Sequence, residues 1–321
     1  MRAVRIHQFG TPDAVVLEDV PVPEPGAGEV LVRVAAAGVA PWDAIIREGN
    51  SKVSPQPPLT LGSDLAGVVE SVGPKVKDIK PGDEVYGVTN PQFCGAQAEY
   101  AVASAAMIAP KPRGLSFIEA ASAPVVAVTA WQMLFEYAKV RNGQTVLVLG
   151  AAGSVGTYVV QLALNARINV VAVVRMRDAA MVRDLGVERV VDADAADLTQ
   201  GLSGIDAILD LIGGDMAERC LPALKLGGQV ISVVATKPLP KWPEVTAEFF
   251  YAEVTTDRLR RLTELFDEGR IRPHVGSVLP FSQARHAHEM LAGAPHQPGK
   301  IVLEVLPNRW SPAPGANAPR P

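Results

Sequence analysis

The sequence predicts an α/β protein: a β-rich first part joined to a doubly wound parallel sheet. Three observations carry this. Residues 1 to about 110 read as short strands punctuated by Gly and Pro. From Thr145 onward, strand-like and helix-like stretches alternate. Between residues 145 and 156 an apolar strand runs through a glycine turn into an apolar-periodic helix.

The first part opens on Met1-Arg2-Ala3-Val4-Arg5-Ile6, which alternates like a strand. Further strands are expected at 15–20, 29–36, 65–72 and 84–87. Turns such as Pro21-Val22-Pro23-Glu24-Pro25-Gly26 and Lys80-Pro81-Gly82-Asp83 separate them, as in a barrel or sandwich. The pattern changes near residue 117, with helices expected at 117–123 and 126–138. Next come the strand at 145–149, a helix at 155–165, the strand at 169–174 and a helix at 177–185 closed by Gly186. Strands at 190–191, 207–211 and 229–234 follow, with a helix at 216–224. The last region holds a helix at 257–268 and another at 282–291 with Ser282 as its N-cap. A strand at 301–305 ends it. The tail 307–321 contains five prolines and is expected to be extended.

Composition sets limits. At 321 residues the chain has room for two domains of about 150 residues. Net charge is -4 with no basic block, which argues against nucleic-acid or anionic-membrane partners. There is no apolar run of about 18 residues to span a bilayer, and the opening strand lacks a signal peptide's apolar core. The two cysteines, Cys94 and Cys220, lie far apart, which fits a reducing cytoplasm. One disulfide stays open on count alone.

The segment Val146-Leu147-Val148-Leu149-Gly150-Ala151-Ala152-Gly153-Ser154-Val155-Gly156 has the order that pyrophosphate binding requires. Gly153 lets the backbone approach the phosphates, Gly156 lets the helix pack close to the sheet, and the free N–H groups at the helix start bind the anion. Ala151 stands where the usual fingerprint has its first glycine. The alternative is a tight turn without a ligand. At the end of the second strand stand Arg175-Met176-Arg177-Asp178. An NAD site puts an acid there, and an NADP site a cation. Arg175 and Arg177 therefore point to NADPH, with Asp178 reaching a ribose as the alternative.

On these residues the chain resembles the medium-chain dehydrogenase/reductase superfamily, in its zinc-independent quinone oxidoreductase (zeta-crystallin-like) branch. Further carriers are Ala37-Gly38-Val39-Ala40-Pro41-Trp42-Asp43, Leu61-Gly62-Ser63-Asp64-Leu65-Ala66-Gly67, Pro81-Gly82-Asp83-Glu84-Val85, Asp210-Leu211-Ile212-Gly213-Gly214 and Gly299-Lys300-Ile301-Val302-Leu303. The resemblance implies a GroES-like catalytic domain at 1–122, a Rossmann NADPH-binding domain at 123–256, a return to the catalytic domain at 257–306, and the tail.

Zinc-using members carry ligands at the places of Ala40, Ser63-Asp64 and Val125. Ala and Val cannot ligate, Ser ligates zinc poorly, and Asp64 alone makes no site. No metal is expected. His286 and His288, two apart on a helix, are expected to be surface residues. The resemblance further implies Gly153, Ser154, Val155 and Gly156 around the pyrophosphate, Arg175 and Arg177 at the 2′-phosphate, and Thr129 near the nicotinamide. Helix packing is the alternative for Thr129. Ala40, Trp42, Ile45, Phe93 and Phe249 suggest the substrate pocket. Trp42 is alternatively a core residue, and Phe249 alternatively an interface residue. Related quinone reductases often carry Asn at the place of Ala40 and Tyr at that of Ile45, so this pocket lacks two hydrogen-bonding groups. Asp43 and Arg47 read as an i, i+4 structural pair.

The expected protein is a cytoplasmic NADPH-dependent oxidoreductase, a homodimer, reducing quinones or the C=C bond of α,β-unsaturated carbonyls. An enoyl-thioester or pathway-specific reductase is the alternative within enzymes. A non-catalytic NADPH-binding sensor is the alternative outside them.

Overall fold

The computed structural model describes residues 1–234 and 244–306. The proline-rich tail at 307–321 lies outside them. The described chain builds three sheets. A small antiparallel one joins Arg2–Ile6 to Val16–Asp19 and Leu59–Thr60.

The seven-stranded sheet runs Val275–Pro280, Lys300–Glu304, Glu29–Val39, Asp64–Val72, Glu84–Val88, Ile108–Pro110, with Tyr100–Ser104 also pairing Glu29–Val39. Its two outer strands on one side come from the far end of the chain. Lys300–Glu304 lies antiparallel to Glu29–Val39, with Val302 opposite Gly38. The 11-residue strand Glu29–Val39 is longer than the expected 29–36, because Lys300–Glu304 extends its pairing to Val39.

The six-stranded sheet is parallel throughout: Arg189–Asp192, Asn169–Val174, Thr145–Leu149, Ile205–Asp210, Leu224–Ser232, Thr246–Phe249. Val146 to Leu149 are fully buried, which is why that strand reads as an unbroken apolar run rather than an alternation. The chain starts this sheet in the middle and winds outward both ways. The strand order therefore reverses beside Thr145–Leu149, where such folds open a crevice for ligands.

Several expectations are corrected. The helix at 126–138 is two pieces, an α-helix Pro124–Trp131 and a π-helical stretch Gln132–Tyr137. Polar side chains hold the wider turn: Gln132 Oε1 accepts from Glu253 N–H at 2.9 Å, and Glu136 pairs with Arg258 at 2.7 Å. Ser282 caps nothing. It lies inside a 3₁₀ turn Phe281–Gln283 that leads into the helix Ala284–Leu291. The strands Thr246–Phe249 and Val275–Pro280 were not anticipated.

His288 is not a surface residue; it is fully buried. Its Nδ1 lies 3.1 Å from an Arg47 guanidinium nitrogen, and its Nε2 lies 3.3 Å from Gln97 Oε1. Arg47 can only donate, so Nδ1 accepts and Nε2 carries the proton. Burial and the Arg47 charge hold the ring neutral, with its pKa pushed down to about 3. Arg47, also buried, donates to Gly10 O and pairs with Glu48. The expected Asp43–Arg47 pair is thus replaced by two separate structural roles on one helix, Pro41–Arg47. His286 is exposed and pairs with Glu289, as its helix position suggests.

His288→Leu leaves the buried Arg47 donor without its acceptor. We expect a loss of about 1–3 kcal/mol in denaturant unfolding at neutral pH. An unchanged midpoint would show that Gly10 and Glu48 alone satisfy Arg47.

Candidate active site

The phosphate loop has the geometry its glycines foretell. Gly150 ends the central strand at φ 83, and a Cβ there would press on Ile212 at 3.1 Å. A Cβ on Gly156 would stand 2.2 Å from Gly150 O, so no side chain fits where the helix Gly156–Asn165 meets the strand. Gly153 is exposed at the turn. Among the described residues, the N–H groups of Ser154, Val155 and Gly156 have no backbone partner. Three unpaired donors at a helix start form a cradle for an anion.

Two neighbours complete this edge. Asp210, 2% exposed, accepts from the N–H groups of Ile212 at 3.0 Å and Gly213 at 2.8 Å, and from Ser232 Oγ at 2.9 Å. It fixes the loop that packs on Gly150. Sequence reasoning quoted Asp210 as a family carrier but assigned it no task. Arg175 is exposed at the end of Asn169–Val174, and Arg177 leans toward Asp178 at 3.7 Å.

A second group lies where the two large sheets meet. Trp42 and Phe93 pack against the cores of both. Trp42 Nε1 donates to Ser63 Oγ at 2.9 Å, and Lys300 Nζ sits 4.3 Å from the centroid of the indole. Lys300 pairs with Asp64 at 2.7 Å, with both side chains almost wholly buried. The other Asp64 oxygen accepts from Val125 N–H at 3.1 Å. One turn further along that helix, Thr129 Oγ1 donates to Val125 O at 2.7 Å. A continuous line of contacts thus runs from Trp42 to Thr129, two residues that the sequence reading assigned to different ligands. The helix-packing role of the Thr129 hydroxyl is present, and its oxygen keeps a lone pair for a second partner.

Gly38 makes this arrangement possible. A Cβ there would meet Asp64 Cβ at 2.9 Å and Lys300 Cε at 3.0 Å. Lys300 was missed as a site residue. The available signal was a lysine leading the apolar run Ile301-Val302-Leu303.

Asp43 lies beside this pair. Its Oδ2 accepts from Ala40 N–H at 2.8 Å at the start of the helix Pro41–Arg47, and its buried Oδ1 has no partner. Burial drives its pKa up to about 7, against the opposing pull of Lys300; Asp64 pushes the same way as burial, and Arg47 opposes it. Ala40, 1% exposed, lies against these groups. Ile45, on the same helix as Trp42, turns to solvent at 46% exposure. Phe93 takes a left-handed backbone, φ 57. Phe249 ends the outermost strand of the parallel sheet, its ring edge-on to Tyr251 at 4.8 Å. The structure gathers Ala40 and Trp42 around the buried charges, places Phe93 at the same seam, and sets Ile45 and Phe249 on outward-facing ground.

Fold and loop together define a two-domain oxidoreductase of an NAD(P)-dependent class. Residues 26–113 match the alcohol dehydrogenase GroES-like domain, and residues 185–303 match the zinc-binding dehydrogenase family. The mouse (Mus musculus) quinone oxidoreductase is 31% identical, covering 94% of this chain and 97% of its own. An Arabidopsis thaliana chloroplastic NADPH-dependent alkenal/one oxidoreductase is 32% identical over 96% of this chain and 80% of its own. The solved quinone oxidoreductase from Coxiella burnetii superposes with a TM-score of 0.88 at 31% identity, over 95% of this chain and 99% of that one. The chain belongs to the quinone oxidoreductase branch of the medium-chain dehydrogenase/reductase superfamily.

The zinc in one family description does not fit this donor set. Ala40 and Val125 offer no ligand atom, Ser63 Oγ accepts from Trp42, and both Asp64 oxygens are engaged. Among the described residues, no group of three or more His, Cys, Asp or Glu could hold a metal ion.

The raised Asp43 pKa has a signed consequence. Between its ordinary 3.8 and about 7, the unfolded chain releases a proton that the folded protein keeps, so stability falls as pH rises through that window. Above it the penalty is constant. Asp43→Asn keeps an acceptor for Ala40 N–H and removes the titration. We expect its melting temperature to exceed that of the unmodified protein above pH 7, with the gap closing on acidification. A gap that widened toward low pH would contradict the assignment.

Proposed function

We propose that this oxidoreductase reduces quinones or the C=C bond of α,β-unsaturated carbonyls with NADPH. The observation that carries the acceptor class is the half-buried indole of Trp42, packed with Phe93 against the apolar clusters on both sides of the seam, while the polar groups it touches, Ser63 and Lys300, are buried and already engaged. Such walls bind flat conjugated molecules by area burial, worth about 25 cal/mol per Å² before association losses. They offer little to polarise a simple alcohol or ketone. The names of the mouse and Arabidopsis relatives support the same class.

In this reading Gly153, Ser154, Val155 and Gly156 hold the pyrophosphate, and Arg175 and Arg177 hold the 2′-phosphate. Thr129 stands at the nicotinamide. When bound, the reduced nicotinamide supplies the hydride. Ala40, Trp42 and Phe93 shape the acceptor pocket, with Ile45 at its rim and Phe249 further out. The domain division at 122, 256 and 306 belongs to the same proposal. So does a homodimer: Thr246–Phe249 pairs on one side only among the described residues, with Tyr251 73% exposed beside it. No described helix is long and apolar enough to cross a membrane, and Cys94 and Cys220 are free, in keeping with a cytoplasmic enzyme.

NADPH is expected to bind at least about tenfold more tightly than NADH, roughly 1.4 kcal/mol. Changing Arg175 and Arg177 to Ala should remove the preference, as measured by cofactor titration. Equal affinities in the unmodified protein would remove the 2′-phosphate assignment.

A panel of quinones, enones, alkenals and enoyl thioesters with NADPH, and of simple alcohols with NADP+, separates the reactions by which compounds drive oxidation or reduction of the cofactor. Turnover of quinones or enones, without alcohol oxidation, is expected. Turnover confined to enoyl thioesters would favour that alternative. Tight NADPH binding with no turnover would favour a sensor.

A further inference from the structure

Resting on the reading of Trp42 as the acceptor wall, we propose that Ser63 and Lys300 are positioning residues. They clamp the Trp42 indole in one orientation and thereby set the enzyme's preference for acceptor size.

Trp42 is held at two points of different chemistry. Its only polar atom, Nε1, donates to Ser63 Oγ, and Ser63 is 1% exposed. Its π-system lies against the Lys300 ammonium, itself 3% exposed. Rotation of the ring about either side-chain torsion breaks the first bond. It also strips a buried cation of one of its two partners, which costs far more than the same loss in water. Lys300 cannot follow the ring, because Asp64 holds its Nζ and Val125 N–H holds Asp64. Gly38 leaves just the space the pair fills. The indole is therefore a fixed wall rather than an adaptable one.

A fixed aromatic wall costs no ordering when an acceptor binds. A freed one must be ordered whenever an acceptor is wide enough to stack on it, a cost set per immobilised side chain, whereas a single ring can bind without that contact. Rigidity of Trp42 thus favours acceptors of several fused rings over a single ring. The Ser63 hydroxyl touches neither the phosphate cradle, Arg175 nor Thr129, so cofactor affinity is not part of the effect of removing it.

The test uses 1,4-benzoquinone and 9,10-phenanthrenequinone as one-ring and three-ring probes, with consumption of NADPH followed. In the full chain, Ser63→Ala should raise the KM for phenanthrenequinone about three- to tenfold and that for benzoquinone less than about twofold. The dissociation constant of NADPH should hold within about twofold. The double variant Lys300→Met with Asp64→Asn removes the cation without leaving a lone buried charge, and should move the KM ratio the same way. In a Trp42→Ala background both effects should vanish, which separates positioning from general weakening of the fold. In a two-dimensional nitrogen–proton spectrum, the indole N–H signal lost in Trp42→Phe should shift in Ser63→Ala. Equal effects of Ser63→Ala with and without Trp42, or an unmoved KM ratio, would overturn the clamp. If Trp42→Ala itself left acceptor preference unchanged, the pocket reading would fall, and the clamp with it. If Trp42→Ala shifted preference while Ser63→Ala did not, the clamp alone would fall.

Discussion

The site depends on one buried ion pair, Lys300 with Asp64. Each partner alone in that interior would be prohibitively costly, and together they are satisfied by Val125 N–H and by the Trp42 ring. The pair also decides what can surround it. It requires the bare backbone of Gly38, engages both oxygens of Asp64, and partly offsets through Lys300 the cost that burial sets on a charge at Asp43. It joins three elements that share no local sequence: the strand Asp64–Val72, the helix Pro124–Trp131 and the strand Lys300–Glu304.

The interior nearby is charged in origin and close to neutral in effect. Arg47 is buried against a neutral His288, and Asp43 titrates near neutrality. The buried charges are thus answered within the protein itself.

The parallel sheet was legible because its signals are local. Buried strands read as apolar runs, and Gly150, Gly153 and Gly156 mark a turn that only small residues can make. The turn that leaves the Ser154, Val155 and Gly156 N–H groups unpaired was legible for the same reason. The strands Thr246–Phe249 and Val275–Pro280 were not, since edge strands with one covered face carry no continuous apolar run. The break at Gln132 was invisible because its causes, Glu253 and Arg258, lie more than a hundred residues away. His288 looked like a polar residue on a helix, and nothing local reveals that Arg47 waits on its buried side. Lys300 and Asp64 stood in the motifs that identify the family, yet their pairing spans 236 positions and follows no period.

The late arrival of Lys300 bears on how the protein is made. Strand Glu29–Val39 emerges early, but the neighbour that covers Gly38 lies near residue 302. Until then Asp64 has no cation, and one edge of the early sheet stands open. The parallel sheet, whose crossovers are local, can form on the ribosome first. The last long-range pairing therefore closes the edge and joins Lys300 to Asp64 in a single event. A growing chain truncated before that point would hold the parallel sheet beside an unfinished one, whose uncovered strand would be open to other chains.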